Sequence, residues 1–465
     1  MASSEQRQPP MVLISGGGLG GLMLGALLEK AKIPYYIFER AAKVKPLGSA
    51  MVLGSTVFPV FEQLGILEDF YKFSLPTKQI VLRNGQLEEL ATMRMDDEEA
   101  IAGYPNRMFA RPDLYALLLR QVPKERILLG KKILRVEEDD DKVFIHCSDN
   151  SSYEGDVLVG ADGAYSAVRQ SIFKDMKKAG SLPKADFEDL VAGYTAAVGI
   201  TEVMDPEKYT QLKDKSHCHF EVVVDSASHS WSVYCLGTNQ VCWVAVIQYK
   251  SVDEAKQQMF MNSEWGPEMN ESFLKEFRDK PNPHGGLMAD LIDATPKELI
   301  SKIYLEQKMF QTWFYKRSVL LGDACHKMLP AAGQGAANAL HDAVILANCL
   351  YDLKDNTQAS VTAAFKSYYN QRYHHAKDCY EVSNVTGKII AGSTWSDRLV
   401  RTIVLKYLPR SFQQKQFEKT NSYKPQATFL PRTPKRGTGY VLPQPPSTRY
   451  EEEQKKREAG ATVVV

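Results

Sequence analysis

The sequence predicts an α/β fold: a domain built on a parallel sheet, an inserted antiparallel-sheet domain, and helices toward the C-terminus. Three observations support this prediction. An apolar strand, a glycine-rich turn, an apolar helix and a second strand follow one another near the N-terminus. Residues from about 190 to 250 then alternate apolar and polar residues in short runs, and the pattern becomes helical after residue 360.

Composition excludes several classes of protein. The 465 residues are 44% hydrophobic and 24% charged with a net charge of +1, so we expect a soluble protein that does not bind nucleic acid. Seven cysteines indicate a reducing, cytoplasmic location. No integral membrane segment is expected, because the uncharged residues 11–28 contain a glycine cluster. No metal site is predicted, since C-x-x-C and H-E-x-x-H are missing from the sequence. A monomer or a homodimer is expected.

The first βαβ unit carries a nucleotide-binding pattern. Gly16, Gly18 and Gly21 form G-x-G-x-x-G between the strand "MVLIS" and the following helix. The glycines permit a tight turn, a close approach to a pyrophosphate and close packing of helix on strand. Glu39 ends the next strand, "PYYIFER", where its carboxylate can accept hydrogen bonds from both ribose hydroxyls. The nucleotide is therefore expected to be FAD or NAD rather than NADP.

Further elements follow along the chain. "PDLYALLLRQ" predicts a helix with proline at its first position. The segment from Lys132 to Gly163 predicts an antiparallel β-meander, and the turn "GTNQ" predicts a hairpin in the inserted sheet. Residues 397–408 are expected to form a packed amphipathic surface helix.

These patterns divide the chain into five parts. The predicted parts are 8–185 (nucleotide-binding domain, first part), 186–280 (inserted β-sheet substrate domain), 281–355 (nucleotide-binding domain, second part), 356–420 (C-terminal helical segment) and 421–465 (extended or disordered tail).

Two longer motifs resemble a known family. "DVLVGADGAYSAVR" resembles the second fingerprint of class A flavoprotein monooxygenases, of the para-hydroxybenzoate hydroxylase type. "LLGDACHKMLPAAGQGAANALHDA" resembles the third fingerprint of that family, and all three motifs occur in the family's order. The resemblance implies a Rossmann-type domain that binds FAD.

The resemblance also implies roles for individual residues. Asp323 would hydrogen-bond the sugar-alcohol chain of FAD, Arg111 would reach its pyrophosphate or ribityl region, and Pro330 would line the ring near the site of oxygen activation. Arg169 would help to fix the second motif, His326 would be a structural loop residue, and His341 and Asp342 would be ordinary helix residues. The remaining matched FAD contacts are Gly48, Val52, Asp162, Gly163, Gly333, Gly335 and Ala336.

The implied activity is that of an FAD-dependent monooxygenase. NADPH or NADH would reduce the flavin, and O₂ would form a C4a-hydroperoxide that hydroxylates or epoxidises a small aromatic or other electron-rich substrate. A related flavin reductase or dehydrogenase without oxygen insertion is the alternative. The lack of a Trp-x-Trp-x-Ile-Pro sequence disfavours a halogenase, and the complete set of flavin motifs disfavours a non-catalytic scaffold.

Substrate contacts are expected in the inserted sheet. Tyr194 and His219 are predicted as catalytic residues together with Pro330, and His217 should share a face with His219. Three further aromatic residues, Trp231, Tyr234 and Trp243, are candidates. Thr195 follows Tyr194 where many relatives carry an arginine, which favours a neutral substrate such as a phenol, polyketide, indole or terpene.

Overall fold

The computed structural model describes residues 8–44, 48–95, 98–225, 228–249, 267–391, 399, 403 and 410–461. Most of the amphipathic stretch predicted at 397–408 therefore lies outside the described residues. In the part of the chain that is described, no helix is both long and apolar enough to cross a membrane.

A six-stranded, mostly parallel sheet forms the centre of the nucleotide-binding region, as predicted. Its strands are β1 (Val12–Ser15), β2 (Tyr35–Glu39), β8 (Ile127–Leu129), β12 (Val157–Gly160), β18 (Phe314–Tyr315) and β19 (Ser318–Leu320). Their spatial order is β18-β19-β12-β1-β2-β8, and only the β18–β19 pair is antiparallel. Every residue of β1 and β12 is buried, as expected for parallel strands covered on both faces.

Twelve helices are described. They are α1 (Leu19–Ala31), α2 (Phe58–Leu64), α3 (Leu67–Phe73), α4 (Glu98–Ala102), α5 (Arg111–Leu119), α6 (Ala167–Lys178), α7 (Pro267–Arg278), α8 (Met288–Asp293), α9 (Gln334–Tyr351), α10 (Gln358–Ala391), α11 (Arg410–Asn421) and α12 (Thr448–Ala461). The helix predicted at residue 112 is α5, with proline in its first turn. Helix α1 packs against α9, and a Cβ atom on Gly20 would be in van der Waals contact with Ala339 at 3.5 Å.

Two small antiparallel sheets accompany the parallel one. The predicted meander consists of β9 (Ile133–Glu138), β10 (Val143–Cys147) and β11 (Ser152–Gly155). The other sheet consists of β3 (Ala50–Leu53), β4 (Leu75–Pro76) and β7 (Arg107–Ala110).

An eight-stranded sheet contains the predicted inserted strands. Its members, in spatial order, are β20 (His326–Lys327), β17 (Ser301–Met309), β13 (Val191–Ile200), β16 (Val241–Gln248), β15 (His229–Cys235), β14 (Phe220–Val224), β5 (Gln79–Asn84) and β6 (Glu89–Arg94). The predicted hairpin is β15–β16, with Cys235 opposite Val241. The sheet takes strands from both sides of the predicted 186–280 segment, because β5 pairs with β14 and β17 pairs with β13. The proposed domain boundaries therefore do not coincide with the limits of this sheet.

The C-terminal tail packs on the nucleotide-binding region instead of leaving it. Ala427 is fully buried and Phe429 is 6% exposed, with its ring centroid 5.0 Å from that of Tyr351. Asn348 donates a hydrogen bond to the Gln426 carbonyl, and its side-chain oxygen accepts one from the Thr428 backbone N–H. The described tail is thus extended as far as α12. Helix α12 was not predicted from the sequence.

Candidate functional site

Four neighbouring strands of the parallel sheet end at the same edge. A predicted site residue lies at the end of each strand or just after it. Gly16 follows β1, Glu39 ends β2, Asp162 follows β12 and Asp323 follows β19. In open α/β sheets, ligands bind at this carboxyl edge. The sheet topology therefore brings together three motifs that are more than a hundred residues apart in the sequence.

The glycines of the first motif have different surroundings. Gly16 has φ +103°, and a Cβ atom there would lie 2.4 Å from the Ala161 carbonyl oxygen. A Cβ on Gly21 would lie 2.1 Å from the Gly16 carbonyl oxygen. No described atom lies within 4 Å of the Cβ position at Gly18. Gly16 and Gly21 thus permit close packing, whereas Gly18 borders open space that a pyrophosphate can enter.

Glu39 is held beside the glycine turn. One carboxylate oxygen accepts a hydrogen bond from the Gly17 N–H at 2.9 Å, and the other accepts one from the Ala41 N–H at 2.9 Å. The side chain remains half-buried. Each carboxylate oxygen has a second lone pair, so both oxygens of Glu39 can accept a further hydrogen bond.

One carboxylate oxygen of Asp162 accepts a hydrogen bond within the fold, and the other accepts none among the described residues. Its Oδ2 accepts a hydrogen bond from the Ala167 N–H at 2.8 Å at the start of α6. Its Oδ1 is buried with no hydrogen-bond partner among the described residues. Burial raises the pKa of this carboxyl. An unpartnered buried oxygen at this edge fits a ligand that donates a hydrogen bond.

Arg169 joins the second motif to the third. Its guanidinium is buried and donates to the Ala324 carbonyl at 2.9 Å and to the Ala164 carbonyl at 2.6 Å. Asp323 lies on the turn that includes Ala324, and its Oδ2 accepts from Lys327 Nζ at 2.8 Å. The Asp323 side chain is 38% exposed, so it remains accessible to a ligand.

The small-residue segment of the third motif faces β3. Gly333 has φ +64°, and a Cβ atom there would lie 4.0 Å from the Val52 carbonyl oxygen. Pro330 and Gly333 are exposed, Ala336 is buried, and the Cβ position at Gly335 has no described atom within 4 Å. Among the described residues no side chain caps the N-terminus of α9. Its N–H groups and positive dipole end are therefore available to a negatively charged or electron-rich group.

Gly48 and Arg111 lie next to each other at the other end of β3. Gly48 has φ +140°, and a Cβ atom there would lie 2.9 Å from Arg111 Cδ. The Arg111 backbone N–H donates to the Ser49 carbonyl at 3.0 Å. A side chain at residue 48 would displace the arginine from the segment that leads to Val52.

Asp342 has a structural role that no sequence pattern indicates. This residue is fully buried, and its carboxylate accepts hydrogen bonds from Arg372 Nε at 2.7 Å and from the Gly322 N–H at 2.8 Å. His326 Nε2 lies 2.6 Å from the same carboxylate. Asp342 is thus not an ordinary helix residue, since it connects α9 to α10 and to the turn that carries Asp323. The helix pattern of the sequence does not reveal this role, because Arg372 is distant in the chain.

One face of the large eight-stranded sheet, the covering face, packs against β3. Tyr234, Phe220 and Cys242 pack with Val52 in one apolar cluster, and Cys242 Sγ accepts from the Ala50 N–H at 3.1 Å. Tyr194 lies on the same face as Ile200, another residue of this cluster, because side chains alternate along β13. Tyr194 and Tyr234 are therefore on the face that points toward β3.

Four of the predicted substrate contacts lie on the opposite face. Trp231 and Trp243 are buried in the cluster formed with α7 and α8, and Trp243 Nε1 donates to Thr295 Oγ1 at 2.9 Å. His219 precedes Phe220 and points away from its face, toward Asp214 and His217. His217 and His219 are close together as predicted, with ring centroids 4.6 Å apart. The catalytic role predicted for His219 does not fit this placement.

Comparisons with known proteins agree with the geometry. Residues 10–383 match the family model described as "FAD binding domain". The chain is 29% identical over 387 residues to the aurachin C monooxygenase/isomerase of Stigmatella aurantiaca, covering 81% of this chain and 89% of that protein. It is 28% identical over 450 residues to the FAD-dependent monooxygenase ausM of Emericella nidulans, covering 92% and 88%.

A solved structure has the same fold. HpxO of Klebsiella pneumoniae, crystallised with FAD and uric acid, superimposes with a TM-score of 0.72 at 21% identity, covering 89% of this chain and 97% of that one. The family match spans all three motifs and the strands that bring them together. The chain therefore belongs to the FAD binding domain family, and it is a flavoprotein oxidoreductase of the class A monooxygenase type.

Proposed function

We propose that this flavoenzyme takes electrons from NADPH or NADH and transfers one atom of O₂, by the C4a-hydroperoxide route, to a small aromatic or other electron-rich substrate. The observation that carries the proposal is the convergence of Gly16, Glu39, Asp162 and Asp323 at one sheet edge, beside the uncapped start of α9. Relatives named as FAD-dependent monooxygenases support the oxygen-inserting reaction over a simple reduction.

The chain's own residues hold the cofactor in this proposal. Gly18 borders the space for the pyrophosphate, and Gly16 and Gly21 permit the tight packing of the turn that forms this space. Glu39 accepts from the ribose, and Asp162 and Asp323 accept from hydroxyl groups farther along FAD. Bound FAD supplies hydride acceptance and oxygen activation, which no protein side chain provides.

The segment around Pro330 forms the flavin-ring end of the site. Gly333, Gly335 and Ala336 allow the backbone N–H groups of α9 to approach the ring, and the helix dipole stabilises negative charge there. Val52 on β3 lies opposite Gly333, and Gly48 and Arg111 lie together at the other end of that strand. The role of Pro330 is to shape the wall of the cavity in which the substrate is oxidised.

The covering face of the large sheet favours a neutral, apolar substrate. Its four central strands β13 to β16 carry no Lys or Arg on this face among the described residues, whose side chains include Tyr194, Tyr234, Val244 and Val246. Thr195 is buried on the other face, where its hydroxyl lies 2.7 Å from the Tyr249 hydroxyl. A carboxylate-bearing substrate would lose its hydration without gaining a cationic partner on these strands. Neutral phenols, polyketides, indoles and terpenes fit this face.

Rapid kinetics would test the proposal. The purified yellow protein is reduced anaerobically with NADPH or NADH and then mixed with oxygenated buffer in a stopped-flow spectrometer. We expect a transient C4a-adduct absorbance before the flavin is reoxidised. A panel of neutral aromatic and polyene compounds is then incubated under ¹⁸O₂, and one ¹⁸O atom is expected in the product.

Two outcomes would reject the proposal. A protein that takes up no FAD would exclude flavin chemistry at this site. A substrate that is reduced by the enzyme without ¹⁸O incorporation would instead establish the reductase or dehydrogenase alternative. A matched reaction under ¹⁶O₂ provides the control for the mass shift.

A further inference from the structure

A cluster of one aspartate and two histidines lies on the large sheet, on the face that points away from β3. Asp214 Oδ2 is 3.1 Å from His217 Nδ1 and 3.4 Å from His219 Nε2. One ligand atom from each of the three residues lies within 4.8 Å of the others. Their side chains are 37%, 18% and 26% exposed, so the cluster is accessible from solvent.

These distances agree with those in a metal site. Imidazole nitrogens and carboxylate oxygens bind Zn²⁺ at about 2.0–2.2 Å, so two ligands of a tetrahedral site lie about 3.4 Å apart. Although Asp214 Oδ2 lies 3.4 Å away, the buried Nε2 atom of His219 makes no hydrogen bond among the described residues. An imidazole nitrogen in this state gains a ligand bond when a metal ion binds. A water molecule can occupy the fourth position of the metal ion.

The surroundings do not oppose a positive ion. The Lys215 ammonium group binds Asn239 and the Gly237 carbonyl instead of Asp214. His284 is 4% exposed, and burial, with His219 and Arg83 nearby, lowers its pKa to about 3. Arg83 itself pairs with Glu221.

A second group of potential ligands is less suitable. Cys325, His326 and Asp342 also approach one another, but all three are buried and Asp342 already pairs with Arg372 at 2.7 Å. A metal ion there would lie against a buried guanidinium with little solvent to screen the repulsion.

We propose that Asp214, His217 and His219 bind a divalent transition metal ion of the zinc type. The ion would join the segment that precedes β14 to the start of that strand, where the Cys235 N–H donates to the His219 carbonyl. The site lies on the face away from β3, so its role is to stabilise the sheet and not to take part in oxygen transfer. The proposal is independent of the reaction that the flavin site catalyses.

Metal titration of the FAD-loaded protein tests the proposal. A tag-free sample is treated with a chelator, dialysed, and titrated with Zn²⁺ alone by calorimetry, and its thermal unfolding is followed with and without Zn²⁺. We expect one high-affinity Zn²⁺ per chain and a higher melting temperature with the ion. His219→Gln and Asp214→Asn should each weaken binding at least tenfold and remove the thermal shift.

His229→Gln is the matched control, because His229 lies on the same sheet and pairs with a single carboxylate, Glu276, at 2.7 Å. This variant should bind Zn²⁺ like the wild type. Asp214→Asn serves as a second variant if His219→Gln does not fold, since Asn retains an acceptor for the Ser216 N–H. Equal Zn²⁺ binding by wild type, Asp214→Asn and His219→Gln, or no stoichiometric binding by wild type, would overturn the proposal.

Discussion

At the scale of single residues, Asp342 holds a buried ion pair on which the stability of the fold depends. Its buried carboxylate accepts hydrogen bonds from Arg372 and the Gly322 backbone and lies 2.6 Å from His326. Asp342→Asn would leave the Arg372 charge buried without its counter-ion. We expect a loss of about 3–5 kcal/mol in the free energy of unfolding, measured by urea denaturation. Asp69→Asn removes an exposed pair with Lys72 and should change the free energy of unfolding by less than about 0.5 kcal/mol.

The Asp342 carboxylate should also make the free energy of unfolding depend on pH. Burial alone would raise the pKa of Asp342, but His326 and Arg372 hold it below its ordinary value. A depressed pKa stabilises the fold at pH values above the unfolded pKa of about 3.9, and this stabilisation is lost as the pH falls through the folded pKa. The free energy of unfolding of the wild type should therefore decrease below about pH 4, and the decrease should be smaller in Asp342→Asn. Parallel curves for the two proteins would contradict this assignment.

Asp323 provides a test of where the flavin lies. Asp323→Ala should weaken FAD binding by about 1–3 kcal/mol, which is roughly 5- to 150-fold in the dissociation constant, because a hydrogen-bond acceptor is lost. Flavin fluorescence during titration of the apoprotein measures the change. Asp293→Ala is the control, since Asp293 pairs with Arg278 and lies outside the proposed site. An Asp323→Ala protein that binds FAD like the wild type would show that the sugar-alcohol chain lies elsewhere.

At the scale of elements, two glycines at the start of α1 are expected to have different roles. Gly21 permits close packing, and Gly18 borders the space proposed for the pyrophosphate. Gly21→Ala would bring a methyl group to 2.1 Å from the Gly16 carbonyl oxygen, so we expect a loss of about 1–3 kcal/mol in the unfolding free energy of the apoprotein. Gly18→Ala should leave that value within about 0.5 kcal/mol, because its methyl group enters open space and its φ is −75°.

The same pair of variants should differ in FAD affinity. The methyl group of Gly18→Ala would occupy the space assigned to the pyrophosphate, so FAD should bind more weakly although the apoprotein is stable. Calorimetric titration of each apoprotein with FAD gives the comparison. If Gly18→Ala retained wild-type affinity, the pyrophosphate could not pass through this space.

At the scale of the whole molecule, the tail is part of the folded core. Phe429 is buried against Tyr351 of α9, and Tyr423 stacks on His375 of α10 with ring centroids 4.1 Å apart. Phe429→Ala should reduce stability by about 3–5 kcal/mol and lower the thermal unfolding midpoint. Tyr440→Ala, at a tail residue that is 62% exposed, is the control and should not change the midpoint. An unchanged midpoint in Phe429→Ala would show that the tail is only loosely attached.

The sequence alone determined the local features of this protein. The order of strand, glycine turn and helix, the acidic residue at the end of β2 and the small residues before α9 are contiguous patterns, and each depends on backbone geometry within a few residues. Those patterns were sufficient for the α/β fold, the FAD motifs and the hairpin β15–β16.

Only the tertiary structure decided how distant segments meet. Alternation along a strand places His219 and Phe220 on opposite faces, but it does not state which face turns toward β3. The pairing of β5 with β14, the Asp342–Arg372 contact and the burial of Phe429 join residues far apart in the chain. Such contacts depend on packing between elements, whose partners no local pattern identifies.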